Sequence, residues 1–265
     1  MKSIKAIVLT YDKYRSVTDH MIIRYNSLWP KHPFVFRVPF QNATPTLNNN
    51  VEYIQTPSDI KGTVLALISD LDDEELIYWC IDDKYPITLD VQKIEKIYEG
   101  LVNENNETCA DAVLFCRCRD MLKEANLFKD KSQHFAGHVI RERRNYNQIW
   151  IHQFLKVKVI RALFNAFPDE INPAKVMDDW KDKLDKPAEH RLFVTKDNFA
   201  VFGESTTRGH LTKNCYKSMN KYNVTLPDWI SEVTEKEIIM GDEQVGDGYE
   251  STVTSLFRKL KKRFA

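Results

Sequence analysis

No Gly-rich phosphate loop occurs in the 265 residues: neither G-x-G-x-x-G nor G-x-x-x-x-G-K-[ST] is present. That excludes the usual dinucleotide fingerprint and the P-loop as the source of a phosphate site. An excess of one charge is also missing. The 38 basic and 38 acidic residues cancel, so no whole-molecule field draws the chain to nucleic acid, and only a local basic patch stays compatible with that balance. No apolar run approaches the roughly eighteen residues that a membrane span needs. The apolar run Ala6 to Leu9 is too short for a signal-peptide core and reads better as a first strand, which makes a cytoplasmic protein the expectation. Cysteine is scarce and odd in number, at five. Cys116 and Cys118 form a C-x-C with no second ligand pair at zinc-site spacing, so reduced thiols are the expectation. Internal repeats are absent.

What is present is an alternation. Ala6-Ile7-Val8-Leu9, Phe34 to Val38, Val51 to Ile54, Leu76 to Ile81 and Ala112 to Phe115 are short apolar strands. Helical patterns separate several of them, over Tyr14 to Trp29, from the Ser58-Asp59 cap through Ile68, and over Leu89 to Val102. Strands alternating with helices predict an α/β layered fold with a mostly parallel central sheet. In the second half, Asn147 to Phe167 reads as one long amphipathic helix, Pro168 to Pro187 as an acidic irregular segment, and His190 to Val194 with Ala200 to Phe202 as a hairpin about Asp197-Asn198. A polar loop, Gly203 to His210, and a helix bearing Tyr216, Met219 and Tyr222 come next. The expected division is a catalytic domain over 1–240, its halves 1–118 and 119–240, a linker over 241–250 and a basic amphipathic tail over 251–265. In that tail Val253, Leu256, Phe257, Leu260 and Phe264 form one helical stripe among five basic residues. It suits either an anionic membrane surface or docking on the body.

The most informative stretch is YWCIDDKYPI, Tyr78 to Ile87, where an apolar strand runs into two adjacent carboxylates. Ligands of open α/β sheets bind outside the carboxyl ends of the strands. Two carboxylates there repel one another and lose hydration, so they call for a cation. Oxygen ligands suit Mg²⁺ or Mn²⁺, shared with substrate phosphates. The alternative is a capping or turn pair ahead of Pro86.

The first strand ends in Thr10-Tyr11-Asp12, within TYDKY, and the fourth ends in IDDKYP. With the helix after Ser58-Asp59, these elements resemble the GT-A class of nucleotide-sugar glycosyltransferases, in particular bacterial surface-polysaccharide transferases, over roughly residues 4 to 225. That resemblance implies a GT-A, Rossmann-like α/β/α sandwich and a metal-dependent transfer of sugar to a hydroxyl acceptor. It implies that Thr10, Tyr11 and Asp12 hold the nucleotide, that Asp83 with Asp82 beside it binds the metal, and that Lys61 contacts phosphate or sugar. On the acceptor side it implies Gln148 and Trp150, and a catalytic carboxylate at Asp178 or Asp179. This chain reads Met177-Asp178-Asp179-Trp180 where the class keeps an aromatic-acid pattern, and it has adjacent aspartates in place of a spaced D-x-D. Arg208 and Lys213, in the polar loop, can neutralise a leaving diphosphate, and His210 can complete a metal shell. The acceptor is a saccharide or a lipid-linked one. His134 and His138 read as structural. A sugar-1-phosphate nucleotidyltransferase and a non-catalytic binding or scaffolding subunit are the alternatives; the first usually opens with a Gly-rich loop in place of Thr10-Tyr11-Asp12.

Overall fold

The computed structural model describes residues 2–42, 49–103, 109–116, 128–204, 211–212, 216–217, 220, 233–234 and 239–240. The expected linker and tail, 241–265, with Arg208, His210, Lys213 and Cys118, lie outside the described residues.

The expected α/β layering is what the chain adopts. Strands β1 (Ile4–Leu9), β2 (Phe34–Phe40), β3 (Val51–Gln55) and β4 (Leu76–Ile81) form a fully parallel half-sheet in the order β3-β2-β1-β4. Between them run α1 (Arg15–Leu28), entered by a short 3-10 turn over Asp12–Tyr14, and α2 (Ile60–Leu67). Asp59 caps α2 by accepting from the Gly62 amide at 2.6 Å, as the Ser58-Asp59 pattern predicts. The strand β5 (Lys84–Leu89) leads into α3 (Val91–Val102), capped by Asp90. The sheet then continues through β9 (Gln153–Lys156), β6 (Ala112–Leu114), β10 (Leu192–Thr195), β8 (His138–Arg143) and β7 (Phe128–Phe135). In this nine-stranded sheet only β9 and β8 run against the common direction.

Both faces of the sheet are covered. Met21, Ile22, Tyr25 and Trp29 of α1, with Ile94, Ile97, Tyr98 and Leu101 of α3, cover one face with Tyr78 and Cys80. Val64 and Leu67 of α2, with Val159, Ile160, Leu163 and Phe164 of α4 (Val157–Ala166), cover the other with Ile77, Trp79 and Ile81. Alternate residues of β4 therefore enter opposite cores. Each large side chain buried there is worth roughly 1.5–3 kcal/mol, so the strand is anchored from both sides.

Three expectations for the second half are corrected. The long helix over Asn147–Phe167 is strand β9 followed by the shorter α4. Phe154 and Leu155 enter opposite cores, which a strand between β4 and β6 can satisfy and one helical stripe cannot. The hairpin about Asp197-Asn198 is absent: β10 joins the main sheet, and β11 (Ala200–Glu204) pairs with β5 and with the short strand Ile239–Met240 in a separate three-stranded sheet. Leu192, Phe193 and Val194 are all buried, as an interior strand requires. The acidic segment contains α5 (Ala174–Lys181), which turns Met177 inward. The hairpin that does form joins β7 and β8, and Ala136 and Gly137 at its turn both take positive φ, 50° and 81°. His134 and His138 lie in its two strands.

Candidate active site

The chain lays β1, β2 and β3 outward in one direction, then returns to place β4 on the free side of β1. A doubly wound sheet opens a crevice at such a reversal, at the carboxyl ends of the two strands. The register Leu9↔Ile81 sets Thr10 and Asp82 side by side there. The two motifs picked from the sequence thus meet at the one point where the topology favours a ligand.

Thr10 and Asp82 are both buried. The Thr10 hydroxyl donates to the Asp82 carboxylate at 2.7 Å and accepts from the Thr18 hydroxyl of α1 at 2.7 Å. The Asp82 amide donates to the Leu9 carbonyl at 3.3 Å. Burial, and next the charge of Asp83, push the Asp82 carboxyl up to about 7; the Thr10 bond, the Asp83 amide and Lys84 act in the opposite direction without cancelling it. Asp83 forms an ion pair with Lys84 at 3.3 Å. The acidic turn is therefore held rigidly in a state that disfavours its own negative charge.

Tyr11 projects from the same edge, 44% exposed, with its ring edge-on to Tyr14 at 4.7 Å. Asp12 accepts from the backbone amides of Gln41 and Asn42, the latter at 2.6 Å, and from Arg15 at 3.3 Å. It pins the chain that leaves β2 against the end of β1. Behind the turn lies a histidine that sequence patterning did not single out. His152 is fully buried and joins the Tyr25 hydroxyl through Nδ1 at 2.5 Å and the Ile81 carbonyl through Nε2 at 2.8 Å. The carbonyl can only accept, so Nε2 carries the proton, Tyr25 donates to Nδ1, and Tyr78, 2.9 Å from the Tyr25 oxygen, donates to Tyr25. Burial lowers the imidazole pKa to about 3, keeping it neutral. The signal for His152 is long-range: Tyr25, Tyr78 and His152 converge only once α1, β4 and β9 are packed.

The remaining predicted residues are distributed. Lys61 donates to the Phe167 carbonyl at 2.7 Å and to Asp169 at 2.5 Å, tying the start of α2 to the end of α4. Gln148 lies in a loop, not at a helix start, and takes a positive φ of 58°. Its carbonyl accepts from Gln153. Trp150 is half-buried with its ring edge-on to Phe164, so it belongs to the α4 core. Asp178 and Asp179 are exposed on α5, and Asp178 pairs with Lys181 at 2.8 Å. The polar loop begins beside the acidic turn: the end of β11 brings Glu204 opposite Lys84, and Arg208 is four residues further along the chain.

The donor set at the turn fits a hard divalent cation. It offers two adjacent carboxylates, only oxygen, and a charge repulsion that a cation relieves; one or two protein carboxylates plus phosphate and water are what Mg²⁺ or Mn²⁺ takes at such sites. Among the described residues no group of three His, Cys, Asp or Glu side chains gathers to hold a metal by itself. No described helix is long and apolar enough to cross a membrane.

No protein-family profile matches the chain, and no curated protein matches it. Among solved structures it is similar to the 2-C-methyl-D-erythritol 4-phosphate cytidylyltransferase IspD of Francisella tularensis, at 8% identity and a TM-score of 0.36, over 98% of this chain and 99% of that one. It is likewise similar to the galactosyltransferase LgtC, solved in complex with donor and acceptor sugar analogues, at 9% identity and a TM-score of 0.40, over 84% of each chain. An active-site mutant of LgtC matches at 10% identity and a TM-score of 0.39, over 98% of this chain and 96% of that one.

Proposed function

We propose that this chain is a metal-dependent glycosyltransferase, moving a sugar from a nucleotide-diphospho-sugar to a hydroxyl acceptor in the assembly of a surface polysaccharide. One observation carries the reading: the Thr10–Asp82 pair and the neighbouring Asp83 sit at the topological reversal between β1 and β4, where burial and the charge of Asp83 push Asp82 up to about 7. The resemblance of TYDKY and IDDKYP to the GT-A class supports the same reading.

In this scheme Asp83 and Asp82 hold Mn²⁺ or Mg²⁺, which when bound supplies positive charge to the donor diphosphate. The exposed Tyr11 ring offers a stacking face to the base, and Asp12 frames that side by fixing Gln41 and Asn42. Arg208 and Lys213 supply further positive charge to the leaving group, and His210 is a third candidate ligand. The acceptor oxygen attacks the anomeric carbon as the bond to the diphosphate breaks, and the bonding electrons leave with the diphosphate. The acceptor proton passes to a carboxylate. Asp179, which makes no ion pair among the described residues, suits that role better than Asp178, which Lys181 engages. Gln148 is the acceptor-side candidate, Trp150 supports it from the α4 core, Lys61 steadies the α2–α4 junction, and the basic tail holds the chain near a lipid-linked acceptor.

The test is a thermal-shift screen of UDP, GDP, CDP and TDP with and without Mn²⁺, followed by hydrolysis assays with nucleotide sugars of whichever base stabilises the chain. Stabilisation that needs Mn²⁺, and release of the nucleoside diphosphate, are the expected results. A chain that binds a nucleoside diphosphate but never cleaves a nucleotide sugar would be a binding subunit, and activity with a nucleoside triphosphate and a sugar phosphate would make it a nucleotidyltransferase.

A further inference from the structure

Lys84 follows the acidic pair directly and opens β5, yet its side chain is only 13% exposed. Burying an ammonium is costly unless an anion accompanies it. Among the described residues Asp83 lies 3.3 Å away as such an anion. The backbone of Lys84 cannot swing aside, because β5 pairs antiparallel with β11 from Lys84↔Glu204 to Leu89↔Ala200. Arg24 of α1 clamps the same strand by donating to the carbonyls of Pro86 and Ile87, at 3.3 and 2.9 Å. The charge of Lys84 also acts on Asp82 and on His152. A lysine has four flexible methylenes, so Nζ can change partners while the strand stays fixed.

We propose that Lys84 is a resident counter-ion of the acidic turn which a divalent cation displaces, and that its released ammonium then binds the diphosphate of the nucleotide donor. This rests on the reading of the turn as the metal and donor site. The logic is competition at Asp83: one carboxylate cannot give full pairing to both an ammonium and a divalent ion at contact distance. A diphosphate carried in with the cation offers the displaced ammonium a new anion a few ångströms away, so the buried lysine is never left without one. Cation and diphosphate therefore enter cooperatively, and the cation alone binds weakly because it must strip Asp83 of its partner.

The inference makes predictions of opposite sign for one substitution. In Lys84→Met, Mn²⁺ alone, followed by the loss of its free-ion EPR signal on titration into the full chain, should bind about 10-fold more tightly. In the same variant the nucleoside diphosphate selected by the thermal-shift screen, titrated calorimetrically at saturating Mn²⁺, should bind at least 10-fold more weakly. Lys84→Arg keeps the charge and should restore most of the diphosphate affinity, which separates a binding role from a folding one; circular dichroism checks that both variants fold. Lys84→Met that leaves Mn²⁺ affinity unchanged or lowers it, or that leaves diphosphate affinity unchanged, overturns the proposal. Asp83→Asn distinguishes the two levels of failure. If it abolishes Mn²⁺ binding while Lys84→Met is neutral, the site stands and the role of Lys84 falls. If Mn²⁺ binding is absent in the parent chain, or indifferent to Asp83→Asn, the site and the exchange fall together.

Discussion

Asp82 and Asp111 are both buried carboxylates at the ends of interior strands, one following β4 and the other preceding β6, and they are in opposite electrostatic condition. Asp111 is met by Lys158 at 2.8 Å, by Lys156 at 3.2 Å and by the Arg191 amide at 2.9 Å. Burial alone would raise its pKa, but Lys158, the Arg191 amide and Lys156 outweigh it, and the group lies below its ordinary value. Burial, and next the charge of Asp83, push Asp82 up to about 7, and the Thr10 hydroxyl does not cancel them. Two buried carboxylates thus become two different kinds of site. Where the chain brings two lysines to one carboxylate it makes a structural joint; where it sets two adjacent carboxylates beside Lys84, negative charge is left for a ligand cation to meet.

The largest effect expected from this contrast is on turnover. Asp83→Asn should reduce Mn²⁺-dependent cleavage of a nucleotide sugar by about 10²–10³-fold, the scale of losing a principal electrostatic stabiliser. Asp111→Asn, measured in the same assay at a temperature where it is folded, should leave turnover within about threefold. Comparable losses in both would erase the distinction between the two strand ends.

Stability should separate them with opposite signs. Asp111→Asn removes the anion that two lysines share, and should cost about 2–3 kcal/mol in urea unfolding at pH 7.5. Asp82→Asn keeps an acceptor for the Thr10 hydroxyl and presents an amide donor to Asp83; it should be neutral or stabilising by about 1 kcal/mol in the absence of metal. A destabilisation of Asp82→Asn as large as that of Asp111→Asn would mean that the turn is a structural joint as well.

The buried histidine gives a pH signature between these extremes. His152 is neutral in the folded chain, with its pKa lowered to about 3 by burial, whereas the unfolded value is about 6.5. The unfolded state therefore binds the extra proton first, so stability declines as pH falls below the unfolded value and the decline continues towards the folded one. Over the two units from pH 6 to pH 4 the slope from this one group amounts to about 2 kcal/mol. His152→Gln should flatten that limb in urea titrations; an unchanged slope would remove His152 from the account.

The strand half of this fold was legible because its signals are local. β1, β2, β3 and β4 are short apolar runs bounded by polar residues, and the Asp59 cap stands where the Ser58-Asp59 pattern places it. The acidic turn was legible for a related reason: two charges after a buried run are anomalous in any fold. What escaped was set by long-range pairing. Gln153 to Lys156 could pass for helix until Phe154 and Leu155 were drawn into different cores by β4 and β6. Lys84 to Leu89 was not among the strands read from the sequence; β5 is an edge strand, where Pro86 is tolerated although it cannot donate to a ladder. His152 could not be found by any local pattern, since its partners come from α1 and from β4.

The smallest effect concerns Glu74, and it shows which part of the Lys156–Lys158 cluster matters. Lys156 and Lys158 bond this carboxylate at 2.7 and 2.8 Å and hold it at about 2. Its side chain is nevertheless 62% exposed, so water and salt screen the pairing, and the lysines retain Asp111 if it is lost. A carboxylate with a depressed folded pKa contributes above its unfolded value, and the contribution disappears as pH falls from about 4.3 towards 2. Glu74→Gln should accordingly cost less than about 1 kcal/mol at pH 7.5, and less again in 0.5 M salt. If instead it matched Asp111→Asn, the exposed carboxylate and not the buried one would be holding the lysines, and the contrast with Asp82 would then be one of exposure and not of company.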